Sequence, residues 1–206
     1  MNATIFTPVS RNLAVFAATA VSAAALVACG AGGPDSPQGG NTIQQQSLTA
    51  DQKNDNKLAP LGKADSSQKT QAPGASGKLV PTGIRVGSHD QFDRVVIDLQ
   101  GEGTPGWFTN YTDTATQQAS GQPVKVAGQS FLNVNVDGTT YPFEIGVQDQ
   151  KLEPVKGPGR AVAEVVSSGT FEGRSQFIIG LNTKDAPYSV VFLDNPKRLV
   201  IDVMHH

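Results

Sequence analysis

Cysteine occurs once in this 206-residue chain, and histidine three times, two of them the last two residues. Those counts exclude an internal disulfide framework and a zinc site built from several Cys and His ligands. Charge is sparse too: 17% of residues are Asp, Glu, Lys or Arg, and the formal net charge is −2. The chain therefore offers no polybasic footprint for nucleic acid. Aromatic residues are missing over a long interval, with no Phe, Tyr or Trp between Phe16 and Phe92. A packed core seldom runs that far without one, which places the folded domain toward the C-terminus. Sustained i, i+3, i+4 apolar spacing is also absent, so no capped amphipathic helix is expected. In abundance instead are 22 glycines and 13 prolines, a composition of turns and unpacked segments.

The N-terminus carries a processing pattern. Arg11 precedes an apolar run from Leu13 to Ala28, rich in Ala and Val. A charged start, a short apolar stretch and small residues before a break mark a secretory signal. The run falls short of the ~20 apolar residues that a bilayer span takes. It ends in Leu26-Val27-Ala28-Cys29-Gly30, which resembles the lipobox of bacterial lipoproteins and puts the single cysteine at the acylated position. The expectation is a signal peptide over 1–28 and a mature chain that begins at Cys29. The membrane would then be a partner through a lipid anchor on the extracytoplasmic face, each buried methylene contributing about 0.8 kcal/mol.

Residues 29–78 read as the lipidated terminus and a disordered linker. Gly30 to Lys78 is built from Gly, Pro, Ser, Gln, Asn, Asp and Lys, with too little apolar material to offset the entropy of ordering. A flexible coil of this length averages roughly 35–42 Å end to end. Fully stretched it could reach about 160 Å, into a cell-wall layer.

From Leu79 onward, in the domain expected over 79–206, short apolar runs alternate with Gly, Pro and Asn. Strands are expected at Gly83–Ser88, Arg94–Gln100, Gly106–Tyr111, Ser130–Val136, Ala161–Ser167, Phe171–Leu181, Tyr188–Leu193 and Arg198–Val203. Turns are expected at Asp137-Gly138, Ser168-Gly169 and Asp194-Asn195-Pro196. This is an all-β pattern of the sandwich or barrel kind. One stretch echoes another: Asp93-Arg94-Val95-Val96-Ile97-Asp98-Leu99 against Lys197-Arg198-Leu199-Val200-Ile201-Asp202-Val203. Alternation along a strand gives each copy one apolar row and an opposite face carrying an Arg and an Asp. The echo points to two related halves, each contributing a matching strand.

Phe92-Asp93-Arg94-Val95-Val96-Ile97-Asp98 and Asp194-Asn195-Pro196-Lys197-Arg198-Leu199-Val200-Ile201-Asp202-Val203, together with His89-Asp90, Pro105-Gly106-Trp107, Gly138-Thr139-Thr140-Tyr141-Pro142, Gly169-Thr170-Phe171-Glu172-Gly173 and Phe177-Ile178-Ile179-Gly180-Leu181, resemble AMIN-type domains, and most closely the AMIN-like domain of actinobacterial lipoproteins. The resemblance covers nearly everything from Leu79 to Val203 and implies a β-sandwich of two facing sheets with internal pseudo-symmetry. It further implies peptidoglycan or other wall glycan as a partner, and a cell-wall hydrolase or division protein as a second one. No hydrolase domain is expected after the β module, and Glu144 to Gly159 reads as a long loop.

Catalytic chemistry finds little support. His89 is the sole internal histidine, and Ser88 and Asp90 beside it would point away from it in a strand. No Gly-x-Ser-x-Gly elbow is present, and no cofactor or metal is expected. The expectation is a non-catalytic binding module. Glycan recognition needs aromatic faces for sugar C–H groups, and Trp107 and Tyr111, four apart on one strand face, are candidates unless Trp107 belongs to the core. Arg94 and Arg198 could hold stem-peptide carboxylates, or could pair within the sheet with Asp98 and Asp202. His89 and Asp90 are polar contacts or a turn, and His205 with His206 reads as an exposed end. From 79 onward there are ten basic and fourteen acidic side chains, so wall binding would come from a shaped site and not from net charge.

Overall fold

The computed structural model describes residues 58–205. The signal segment, Cys29, the first part of the linker and His206 lie outside the described residues. Within them the strands are β1 (Lys69–Gln71), β2 (Lys78–Ser88), β3 (Phe92–Glu102), β4 (Gly106–Thr112), β5 (Ser130–Asp137), β6 (Val155–Lys156), β7 (Val162–Phe171), β8 (Arg174–Leu181), β9 (Tyr188–Leu193) and β10 (Arg198–Met204). One short 3-10 helix, Pro142–Ile145, runs into the Glu144 to Gly159 stretch expected to be a loop, and the two-residue strand β6 lies within that stretch. The strands form a six-stranded antiparallel sheet, β1-β4-β5-β8-β7-β6, and a four-stranded one, β2-β3-β10-β9. The all-β sandwich is thus as expected.

Period-two alternation builds the space between the sheets. Val95, Ile97 and Leu99 of β3 and Leu199, Ile201 and Val203 of β10 enter one core with Leu132, Val134 and Val136 of β5 and Phe177, Ile179 and Leu181 of β8. Nearly all of these are fully buried, at roughly 1.5–3 kcal/mol for each large aliphatic side chain.

The echoed strands are neighbours. β3 and β10 pair antiparallel with Val96 opposite Val200, and the flanking hairpins β2–β3 and β9–β10 are arranged about that seam. The larger sheet repeats the plan, with β5 and β8 meeting at the centre and β4 and β7 outside them. Each half of the chain contributes one strand pair to each sheet. The order is reversed between halves, because the first half fills the smaller sheet first and the second half fills it last.

Two expectations shift. The reversal between β7 and β8 is at Glu172-Gly173, with φ of 48° and 78°, and not at Ser168-Gly169. Two successive positive φ values make the tight turn that suits the twist of a hairpin. Ser168-Gly169 is a bulge within β7, where the register slips between Ser167 and Gly169. The linker expected through residue 78 also gives way earlier, to an ordered segment from Leu58. Asp65 exchanges backbone hydrogen bonds with Tyr188, and β1 pairs with β4. Backbone pairing to an existing sheet edge needs no apolar side chains, which is why composition missed it.

Asp93 ties the sheets together at one end. Its carboxylate is fully buried and accepts hydrogen bonds from the Ala161 and Val162 backbone N–H groups at 2.8 and 2.9 Å, and from Ser88 Oγ at 2.8 Å. His205 Nε2 lies 2.8 Å from Asp93 Oδ1, so this residue is a packed partner and not the exposed end expected. Burial opposes the charge, but the bonds from Val162, His205, Ser88 and Ala161 outweigh it and hold the carboxyl below its ordinary range. Asp93→Ala would orphan two buried N–H groups and is expected to cost about 3 kcal/mol, read as a Tm fall of roughly 6–12 °C. Because the folded pKa is depressed, the charge contributes fully above the unfolded value of about 3.9 and is lost as pH falls through the folded one. Thermal scans should therefore show Tm falling below about pH 4, less steeply in Asp93→Asn than in the parent.

Candidate functional site

Arg94, Asp98, Arg198 and Asp202 lie on the outer face of the four-stranded sheet, as the alternation requires. Register sets Arg94 opposite Asp202 and Arg198 opposite Asp98. Arg94 Nε and Nη2 each lie 2.7 Å from an Asp202 oxygen, a two-pronged pair. Asp202 also accepts the Leu61 N–H at 2.6 Å and is fully buried. The symmetric partner pair does not form: Asp98 is held by Arg85 at 2.8 and 2.6 Å, while Arg198 Nη1 donates to the Pro196 carbonyl at 2.8 Å. Arg94 is thus committed within the sheet, and Arg85, which the sequence did not single out, takes Asp98.

The other expected residues also serve the fold. The His89 ring packs on Phe92 with centroids 4.7 Å apart, and the His89 backbone N–H donates to the Phe92 carbonyl. The Asp90 carbonyl faces His205 Nδ1 at 3.2 Å, so His89 and Asp90 make the turn between β2 and β3. Trp107 and Tyr111 share a strand face, but that face is turned inward and both pack against the core. Between them Thr109 is fully buried, with Oγ1 2.8 Å from the Tyr188 hydroxyl. The Tyr111 ring meets Tyr188 edge-on at 5.5 Å, and its hydroxyl donates to the Ala186 carbonyl. Burial pushes the Tyr111 hydroxyl pKa up. Both rings are thus partly buried against the core.

Free aromatic faces occur elsewhere. After β5 the chain turns at Gly138, where φ is 80°, and the Gly138 and Thr139 N–H groups both donate to the Gly173 carbonyl at 3.0 Å. Thr140 then donates to the Leu79 carbonyl at 2.8 Å, carrying the chain from the larger sheet to β2. Pro142, whose fixed φ suits a helix start, opens the 3-10 turn directly after Tyr141, and Gly146 in the left-handed region closes it. The turn presents Tyr141 and Phe143 stacked, 5.6 Å apart and 7° from parallel, with Tyr141 39% and Phe143 79% exposed.

Tyr141 and Pro142 border a cleft of about 360 Å³ in the side of the sandwich. Val80 and Pro81 of β2 line one flank, Ser167, Gly169 and Thr170 of β7 the other, and residues 149–152 close it. Apolar surface from Val80, Pro81 and Leu152 therefore sits beside the hydroxyls of Ser167 and Thr170 and the polar ends of Asp149 and Gln150. Lys151 is paired with Glu153 at 2.9 Å. Sequence reasoning reached Tyr141 only as part of a motif and missed Phe143. The available signal was an aromatic pair astride a proline just past a turn, where no core position was open.

Among the described residues no group of three or more His, Cys, Asp or Glu could hold a metal ion. No helix among them is long and apolar enough to cross a membrane. The AMIN-like domain model matches residues 79–205, and the chain belongs to that family. AMIN-like domains are non-catalytic adaptor modules, consistent with a peptidoglycan-associated role outside the cytoplasm. No curated protein and no solved structure matches the chain.

The two arginines should separate in stability measurements. Arg94→Ala strands the buried Asp202 charge and is expected to cost about 3 kcal/mol. Arg198→Ala, which breaks no ion pair, should stay within about 0.5 kcal/mol in a urea titration. Equal effects would contradict this assignment.

Proposed function

We propose that the protein is a non-catalytic adaptor that binds cell-wall glycan at the Tyr141–Phe143 cleft. The observation that carries this reading is the exposed, parallel aromatic pair beside a cleft that mixes apolar walls with hydroxyl, amide and carboxylate groups. Sugar C–H faces pack on such rings while their hydroxyls take planar and hydroxyl partners, the division of labour common to small-molecule sites. The acidic balance of the domain favours an uncharged glycan surface over an anionic lipid or polymer.

In this reading Cys29 is acylated after cleavage of 1–28, and the linker carries the domain into the wall. The adaptor would thereby position wall-remodelling or division machinery. The exposed Phe143 also favours a second reading, in which the same patch docks a hydrolase or division protein, since exposed apolar groups that cluster mark interaction sites.

Co-sedimentation with purified sacculi tests the first reading, using the full chain with Cys29→Ser to keep it unacylated. The parent should pellet with the wall, and Tyr141→Ala/Phe143→Ala should lose most of the bound fraction while Arg198→Ala keeps it. A folded parent that stays in solution contradicts glycan binding. Cross-linking that returns one dominant envelope protein, lost in the same double variant, would favour the second reading.

A further inference from the structure

The 113–129 connection between β4 and β5 folds back over the outer face of the larger sheet. It can do so because Gly180 has no side chain: a Cβ there would lie 1.8 Å from the Ala127 carbonyl oxygen. Gln176 fixes the near end of the connection, accepting the Gln118 N–H at 2.9 Å and donating to the Thr116 carbonyl at 3.0 Å. Between loop and sheet remains a pocket of about 180 Å³.

The pocket is lined by amides, threonine hydroxyls and one aliphatic side chain, with no titratable group. Its amides run head to tail: Gln176 Nε2 donates to Asn133 Oδ1 at 2.9 Å, Asn133 Nδ2 to Asn110 Oδ1 at 3.3 Å, and Asn110 Nδ2 to the Tyr111 carbonyl at 3.1 Å. Asn110 and Asn133 each keep one N–H and a carbonyl lone pair beyond this chain. Ile178, nearly fully buried, forms an apolar floor beside them. A neutral ligand that matches this lining has an amide with one donor and one acceptor, attached to a methyl that can rest on Ile178. A charged ligand would lose its hydration here without a counter-charge.

We propose that this pocket takes the acetamido group of an N-acetylated amino sugar, as a second subsite distinct from the Tyr141–Phe143 cleft. The ligand class rests on the wall-glycan reading, but the site does not. Asn110 and Asn133 hold the acetamido oxygen and N–H, the methyl sits on Ile178, and the Thr114 and Thr116 hydroxyls meet the sugar ring at the mouth.

The test is an NMR titration of the full-length Cys29→Ser chain with tetra-N-acetylchitotetraose and, separately, with its de-N-acetylated counterpart. The N-acetylated sugar should shift the side-chain amides of Asn110 and Asn133 and the methyls of Ile178. The de-N-acetylated sugar should bind about tenfold more weakly, the scale of one or two hydrogen bonds lost in a desolvated site. Asn110→Ala and the exposed Thr116→Val should each weaken the response several-fold, with folding checked by circular dichroism. The Tyr141→Ala/Phe143→Ala variant should keep these shifts, so failure to bind sacculi and failure of the pocket remain distinguishable. Equal response to both sugars, or shifts confined to Tyr141 and Phe143, would overturn the proposal.

Discussion

The Arg94–Asp202 pair is the constraint around which this domain is organised. It joins two strands 108 positions apart in sequence, one from each end of the described chain. A fully buried carboxylate is tolerable only when its lone pairs are met, and here the Arg94 guanidinium and the Leu61 N–H meet them. That one group therefore fixes the register of β3 against β10 and also anchors the segment that enters the domain. A one-residue slip would turn the apolar rows of both strands out of the core. Asp93 does the corresponding task at the end of the sandwich, where it holds the start of β7 against β3.

Much of the fold was legible because its strands alternate cleanly. Val95, Ile97 and Leu99 could not be placed on a helix face, and Leu132, Val134 and Val136 repeat the same period. The echo of residues 93–99 in 197–203 was legible too, but its meaning was not. Arg-x-x-x-Asp in each copy looks like two matching strands. Run antiparallel, it also places each Arg opposite the other strand's Asp, which only pairing could reveal. Ser168-Gly169 misled because a Gly with positive φ serves a bulge as well as a turn. Lys69–Gln71 escaped notice because an edge strand bound through its backbone has no apolar signature.

The candidate site was less legible, for a physical reason. Sequence shows which residues could stack on a sugar but not which way a strand faces. Trp107 and Tyr111 satisfied the chemistry and sit on one face, yet that face is the core side of β4, where Thr109 is buried between them. Arg94 and Arg198 were competent to bind carboxylates, but Arg94 is committed to Asp202 and Arg198 donates to the Pro196 carbonyl. What remains for a ligand lies at positions free of core duty: Tyr141 and Phe143 on a 3-10 turn, and the amides left on an outer sheet face. Structure and the proposed recognition thus divide between groups claimed by the core or an ion pair and groups left over on a turn and on the outer sheet face.

The most direct test of this division is hydrogen–deuterium exchange of the full chain with and without solubilised wall glycan. The account predicts added protection around residues 139–152 and at the facing part of β7, with the outer face of β3 and β10 unchanged. Protection centred on Arg94, Arg198 and the β2–β3 turn, with none near Tyr141 and Phe143, would contradict it.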